Sequence, residues 1–229
     1  MNELLQIGIF PVVLTLAAYR ICQLIQKKIP LFSPILGGAA LVLLVLWLTK
    51  LPISQYKQGT NLIYWLMTPA TVSLAIPMYE HFKTLRRNFP VILVSVITGL
   101  AVCVGMILLF GLVCRYDAAL TISLLPKSVT TAIGVPLSEL SGGLPSVTTA
   151  VIALTGNLAA IIGPVLCKWL KLTDPVAQGV AFGTSGHVVG TTKAAELGDL
   201  QAAAGSLSLI TAGILTAVFF PLLAKLAGG

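Results

Sequence analysis

Two short stretches place chemistry inside a chain that is otherwise almost wholly apolar. In Pro126-Lys127-Ser128-Val129-Thr130-Thr131 a primary amine stands beside three hydroxyls. In Gly183-Thr184-Ser185-Gly186-His187-Val188-Val189-Gly190-Thr191-Thr192-Lys193 an imidazole sits among hydroxyls and glycines. An ionised amine at membrane depth costs about 2.5–3.5 kcal/mol on insertion scales. It persists where a ligand, a partner charge or a water-filled cavity compensates it. Proline is favoured in the first turn of a helix. A helix starting at Pro126 would aim free N–H groups and the positive end of its dipole inward. With the Lys127 ammonium and the hydroxyls of Ser128, Thr130 and Thr131, that arrangement suits a carboxylate.

Each of these residues also has a plainer reading. Lys127 could snorkel to the headgroups. The spacing Gly179-x3-Gly183-x2-Gly186-x3-Gly190 suits close helix packing, and Asn157 suits a helix–helix hydrogen bond. His187 could simply bond a carbonyl, yet Thr184, Ser185, Thr191, Thr192 and Lys193 supply more polarity than packing needs. An imidazole titrates near neutral pH, so His187 is also a candidate proton relay. An enzyme is disfavoured. Gly183-Thr184-Ser185-Gly186 fits a loose intramembrane serine-protease pattern, but residues at i and i+2 of a helix face apart. His187 is thus badly placed to activate Ser185. No metal, nucleotide or cofactor motif is present, and the four cysteines show no paired spacing.

Composition sets the solvent. Of 229 residues, 57% are hydrophobic and 9% charged, against about 25% charged in soluble domains. An all-α integral membrane protein is the class that fits. The net charge of +7 comes from basic residues scattered singly between apolar runs. That pattern suits loops facing anionic lipid and no nucleic acid.

Apolar runs fall at about 4–25, 31–49, 60–79, 89–113, 118–138, 145–168, 175–193 and 201–226, which read as one transmembrane domain over 1–229. The runs 60–79, 118–138 and 175–193 carry prolines or glycines that free backbone groups lipid cannot satisfy. Pro69-Ala70-Thr71-Val72-Ser73-Leu74-Ala75-Ile76 precedes Pro126-Lys127-Ser128-Val129-Thr130-Thr131-Ala132-Ile133 by 57 positions (126 − 69). Thr98-Gly99 and Thr155-Gly156 recur at the same offset (155 − 98). Candidate repeat units are therefore about 60–112 and 118–168, with Thr71 and Ser73 as counterparts of the Lys127 hydroxyls. If run 118–138 dips in and returns, and every other run crosses, nine Lys and Arg lie inside against four outside. The positive-inside rule prefers that arrangement. The expected fold is a polytopic helical bundle with about seven crossings, discontinuous or re-entrant helices and an internal repeat.

The blocks Pro69 to Tyr79, Leu125 to Thr131 and Gly179 to Thr191 resemble the LrgB/CidB family of bacterial inner-membrane proteins, over nearly the whole chain. Ala132 departs from the family's usual proline, and Ser185-Gly186 from its usual Ala-Ser. The resemblance implies two functions. One is holin/antiholin-like control of murein hydrolase export and autolysis, with a small LrgA/CidA-type membrane partner. The other is carriage of small monocarboxylates such as glycolate, glycerate, lactate or pyruvate. The residues favour the carrier, as a multi-pass inner-membrane protein that is by default a homo-oligomer. Its expected substrate site comprises Lys127, Ser128, Thr130, Thr131, Thr71, Ser73, Asn157, Thr184, Ser185, His187 and Thr191. The broken segments around Pro69, Pro126 and Gly183–Gly190 would meet near the midplane.

Overall fold

The computed structural model describes residues 9–28, 32–73 and 75–228, without the side chains of Leu62, Tyr64, Met67, Thr68, Thr71 and Gly228. All regular structure among them is helical. The chain forms two compact units, one ending at Ser73 and the other starting at Leu74.

The first unit holds α1 (Phe10–Lys28), α2 (Pro34–Thr49), α3 (Ile53–Gly59) and α4 (Asn61–Ser73). Ser33 caps α2 by accepting the Leu36 N–H, and Pro34 supplies the pre-set first turn. Ala18, Val42 and Leu46 form its buried core. The Thr15 and Tyr56 hydroxyls share a hydrogen bond at 2.7 Å. Pro69 lies inside α4.

The second unit holds α5 (Ala75–Glu80), α6 (Phe82–Val113), α7 (Ala118–Leu124), α8 (Thr131–Leu140), α9 (Pro145–Trp169), α10 (Pro175–Ala195) and α11 (Asp199–Gly228). Three of these, α6, α9 and α11, are long and apolar enough to cross a bilayer. Their outer faces carry exposed apolar residues such as Val102, Leu112, Val165 and Val218. That inversion of a soluble surface is what a lipid solvent requires.

Helices α6 and α11 run parallel. Leu85, Ile92 and Val96 pack with Ala203, Ala204 and Ala212 at one level. Ile107 packs with Phe220 and Ala224 at the other. One end of the unit therefore carries Lys83, Arg86, Arg87, Lys168, Lys171 and Lys193, and the opposite end Arg115 and Lys225.

Between the long helices lie two hairpins. In the first, α7 stops because Pro126 has no N–H to continue it. Residues 125–130 turn, with the Lys127 N–H bonding Leu124 O and the Val129 N–H bonding Pro126 O. Helix α8 then returns alongside. A Cβ on Gly134 would meet Pro126 Cβ at 3.2 Å and Ile152 Cδ1 at 2.7 Å. Further back, the Thr148 hydroxyl donates to Ser138 Oγ at 2.7 Å, and Ser123 Oγ accepts the Leu144 N–H at 2.7 Å. Ser123, Ser138 and Thr148 are fully buried. This hydroxyl cluster ties both arms to the start of α9. Run 118–138 is thus re-entrant, as charge counting expects. One detail differs: the helix starts at Thr131 behind Thr130, not at Pro126.

The second hairpin corrects a sequence expectation. Run 175–193 reads as a crossing, but the backbone of α10 breaks at His187 (φ 42°, ψ −133°). A Cβ on Gly190 would collide with the Phe182 carbonyl. Eight residues of straight helix span about 12 Å, so the chain must reverse. Gln201 at the start of α11 donates to Gln178 near the start of α10 at 3.3 Å. Both ends of α10 thus lie at the basic end. Hydropathy sees only a long apolar run and cannot distinguish two half-depth arms from one full span. Consequently this unit has three helices of crossing length and two hairpins, fewer crossings than its five apolar runs suggest. The hairpins enter from opposite ends and each is followed by a long helix, α9 or α11.

Backbone contact holds the second hairpin. A Cβ on Gly183 would strike the Gly205 carbonyl, and one on Gly179 the Gln201 carbonyl. In lipid, helices gain little from hydrophobic burial against each other, so close packing must do the holding. Gly183→Ala is expected to cost about 1–3 kcal/mol of overpacking, read as a lowered unfolding midpoint in detergent. Gly105→Ala, which meets nothing within 4 Å, should leave that midpoint unchanged or raise it. Topology is checked by single cysteines labelled with an impermeant maleimide. Thr173→Cys and Leu197→Cys should react from one side of the membrane, and native Cys114 from the other. Reaction of Thr173→Cys and Leu197→Cys from opposite sides would mean that α10 crosses.

Candidate functional site

The two hairpin tips line one vestibule of about 860 Å³ in the second unit. Lys127 and Ser128 come from the first tip, Thr184 and Ser185 from the second. Asn88, Ser95 and Cys103 of α6 and Thr155 of α9 add to the polar part of its wall, with Gly99 between Ser95 and Cys103. Leu172 and Asp174 line its far end, at the basic end of the unit. Asp174 also caps α10 by accepting the Ala177 N–H at 2.7 Å.

Lys127 is half-buried on the turn between α7 and α8. Among the described residues the one ion pair is Lys193–Glu196, so no carboxylate there answers Lys127. Ser128 is buried, with its hydroxyl 3.4 Å from Cys103 Sγ. The Thr184 hydroxyl is the one buried side-chain oxygen or nitrogen among the described residues that lacks a hydrogen-bond partner. Such a group costs roughly 1–3 kcal/mol if left unmet. Ser185 donates to the Ala181 carbonyl of its own helix at 2.6 Å.

His187 lines no part of the vestibule wall. It is 5% exposed and its Nε2 donates to the Ile152 carbonyl at 2.9 Å. A carbonyl can only accept, so Nε2 carries a proton in this arrangement. The Thr191 hydroxyl donates back to the His187 carbonyl at 2.8 Å. A positive φ on histidine costs of order 1–3 kcal/mol, and these two bonds hold the residue against it. Chemically, His187 is the pin of the second tip. Its ring is engaged with α9 rather than with Ser185, so no nucleophile–base pair forms there.

Of the expected site residues, the structure thus gathers Lys127, Ser128, Thr184 and Ser185 at the vestibule. Thr130 and Thr131 begin α8 and lie outside its wall. Asn157 is buried in α9 and donates to the Ala153 carbonyl at 2.8 Å. Thr191 is spent on His187. Ser73 belongs to the other unit and donates to the Ala70 carbonyl at 2.7 Å. The Thr71 side chain lies outside the described residues.

Sequence reasoning passed over Ser95, Cys103 and Thr155 as wall residues. It registered the Thr98-Gly99 and Thr155-Gly156 pairs as a repeat without a purpose. The purpose is room. A Cβ on Gly99 would press on Thr184 Cγ2 at 3.2 Å, and one on Gly156 on His187 Nε2 at 2.5 Å. The two glycines admit Thr184 and His187 of the second tip against α6 and α9. Gly156→Ala should cost about 1–3 kcal/mol by forcing the imidazole off Ile152. His187→Ala should cost less in that background than in the parent, by 0.5 kcal/mol or more. Unfolding midpoints of the two single variants and the double variant check this; strict additivity would contradict the contact.

The LrgB-like family model matches residues 15–226. The protein YwbG of Bacillus subtilis (strain 168) is 34% identical over 95% of this chain and 97% of its own length. The antiholin-like protein LrgB of the same organism is 30% identical over 96% of each chain, and its namesake in Bacillus mycoides (strain KBAB4) 29% identical over the same shares. No solved structure matches. A family model spanning both hairpins and all three long helices, with relatives aligned nearly end to end, makes this chain a member of the LrgB-like family.

Proposed function

We propose that the protein is a secondary carrier of small monocarboxylates in the bacterial inner membrane. The observation that carries this reading is that Lys127, on the turn of a broken helix, and the hydroxyl residues Thr184 and Ser185 of an opposed hairpin line one vestibule. A carboxylate there would meet one cation, with Ser128, Thr184 and Ser185 within the same wall. Half-helices that end inside the bilayer around an anion are how transporters build such sites. The Thr184 hydroxyl supplies a hydrogen-bonding group with no internal claim on it. By the positive-inside rule the basic end faces the cytoplasm, so the vestibule opens inward. His187 positions the second tip in this reading, and a proton relay through it would require its bond to Ile152 to break.

A second reading is an antiholin-like modulator of murein hydrolase export and autolysis, working with a small membrane partner. The relatives' names back it more directly than they back a carrier. A built polar vestibule is the feature it leaves unused.

Purified protein in liposomes separates the two. Labelled glycolate, glycerate, lactate or pyruvate should accumulate, with a proton gradient as the first driving force tried. Lys127→Met should lower uptake roughly ten- to hundredfold, the loss of one charged hydrogen bond of about 1.5–3 kcal/mol. Failure of all four substrates, together with leakage of a trapped dye on expression, would favour the second reading.

A further inference from the structure

The vestibule does not end in solid packing. Behind it lies a second, smaller cavity of about 210 Å³, lined by Leu125, Pro126, Val129 and the outer halves of α6 and α11. Cys103 and Ser128 belong to the walls of both cavities. Their side chains touch, Sγ to Oγ at 3.4 Å. Towards the basic end the space beyond this pair is broad and partly polar; away from it the lining from α11 is mostly apolar, Leu215, Phe219, Leu222 and Leu223 with Thr216 among them. We infer that the Cys103–Ser128 contact is the closed constriction of the solute path, with the Cys103 thiol at the water front of an inward-facing vestibule.

The reasons are geometric and chemical. The pair stands where the turn of the first hairpin meets the middle of α6, so a small shift of the tip would part it. A thiol against a hydroxyl makes a weak bond, which costs little to break. Ser128 is next to Lys127, so a substrate held by the amine would rest against the constriction itself. The wide cavity on one side and the narrow apolar one on the other make the two approaches unequal. This inference deepens the carrier reading, and rests on it for the passage of a solute. The accessibility of the thiol does not rest on it.

The test retains Cys103 and replaces Cys22, Cys114 and Cys167 with alanine. A membrane-impermeant charged maleimide is added to inverted and to right-side-out vesicles. Ser95→Cys with Cys103 removed reports on the vestibule wall, and labelling after denaturation confirms that each thiol is present. Cys103 and Ser95→Cys should both react at least about tenfold faster in inverted vesicles, because impermeant reagent modifies only water-exposed thiolate. Uptake by the Cys103-labelled protein should fall at least as far. Equal reaction of Cys103 in both orientations, or none in either while Ser95→Cys reacts, would overturn the constriction. So would full uptake after complete labelling of Cys103. One-sided labelling in a protein that moves none of the four substrates would remove the carrier and leave the closed, inward-facing vestibule standing.

Discussion

A helix interrupted inside hydrocarbon leaves N–H and C=O groups that lipid cannot bond, at several kcal/mol each. The second unit is organised around answering that demand twice. At the first interruption the groups of residues 125–130 turn on one another, and Thr130 takes the Ile133 and Gly134 N–H groups. At the second, the Thr191 hydroxyl bonds the His187 carbonyl at the break, while the His187 ring anchors the tip to Ile152 of α9. Three long helices surround these interruptions and keep lipid away from them. The vestibule is what remains between two tips that cannot be packed solid without burying Lys127.

Small residues decide how close the parts come. Gly183 and Gly179 bring the second hairpin onto α11, and Gly190 folds its arms together. Gly99 and Gly156 admit Thr184 and His187. A side chain at any of these positions would force the second hairpin off the neighbour it packs against or its arms apart. The Ser123–Ser138–Thr148 cluster does for the first hairpin what the glycines do for the second. The first hairpin is pinned at its base by that cluster, whereas the second is also pinned at its tip by His187.

The opposed entry of the hairpins has an electrostatic counterpart. Six of the basic side chains of this unit gather at one end, and the vestibule opens there. An anion approaching that end meets a favourable potential before it meets Lys127. Asp174 at the mouth is held by the helix start it caps, where the dipole favours its charge. It therefore opposes an incoming anion less than a free carboxylate would.

What the sequence determined was the solvent, the class and the chemistry. A chain with 9% charged residues must live in lipid. Pro126 beside Lys127 within an apolar run marks a place where a helix can end, and charge counting already turned run 118–138 back on itself. Lys127, Ser128, Thr184 and Ser185 were legible as candidates because polar groups at that depth need a reason, and the four line one cavity. The tertiary structure decided which polar groups share a space. Thr191 and Asn157 are as polar as Thr184, yet each donates to a carbonyl four residues back on its own helix, and only coordinates reveal that. The reversal at His187 was hidden as well. Nothing in an apolar run of that length separates one crossing from two half-crossings, since the difference lies in a single backbone angle held by a carbonyl thirty-five residues away. Cys103 and Thr155 are ordinary by type in an apolar helix, and they became wall residues only when α6 and α9 were set around the tips.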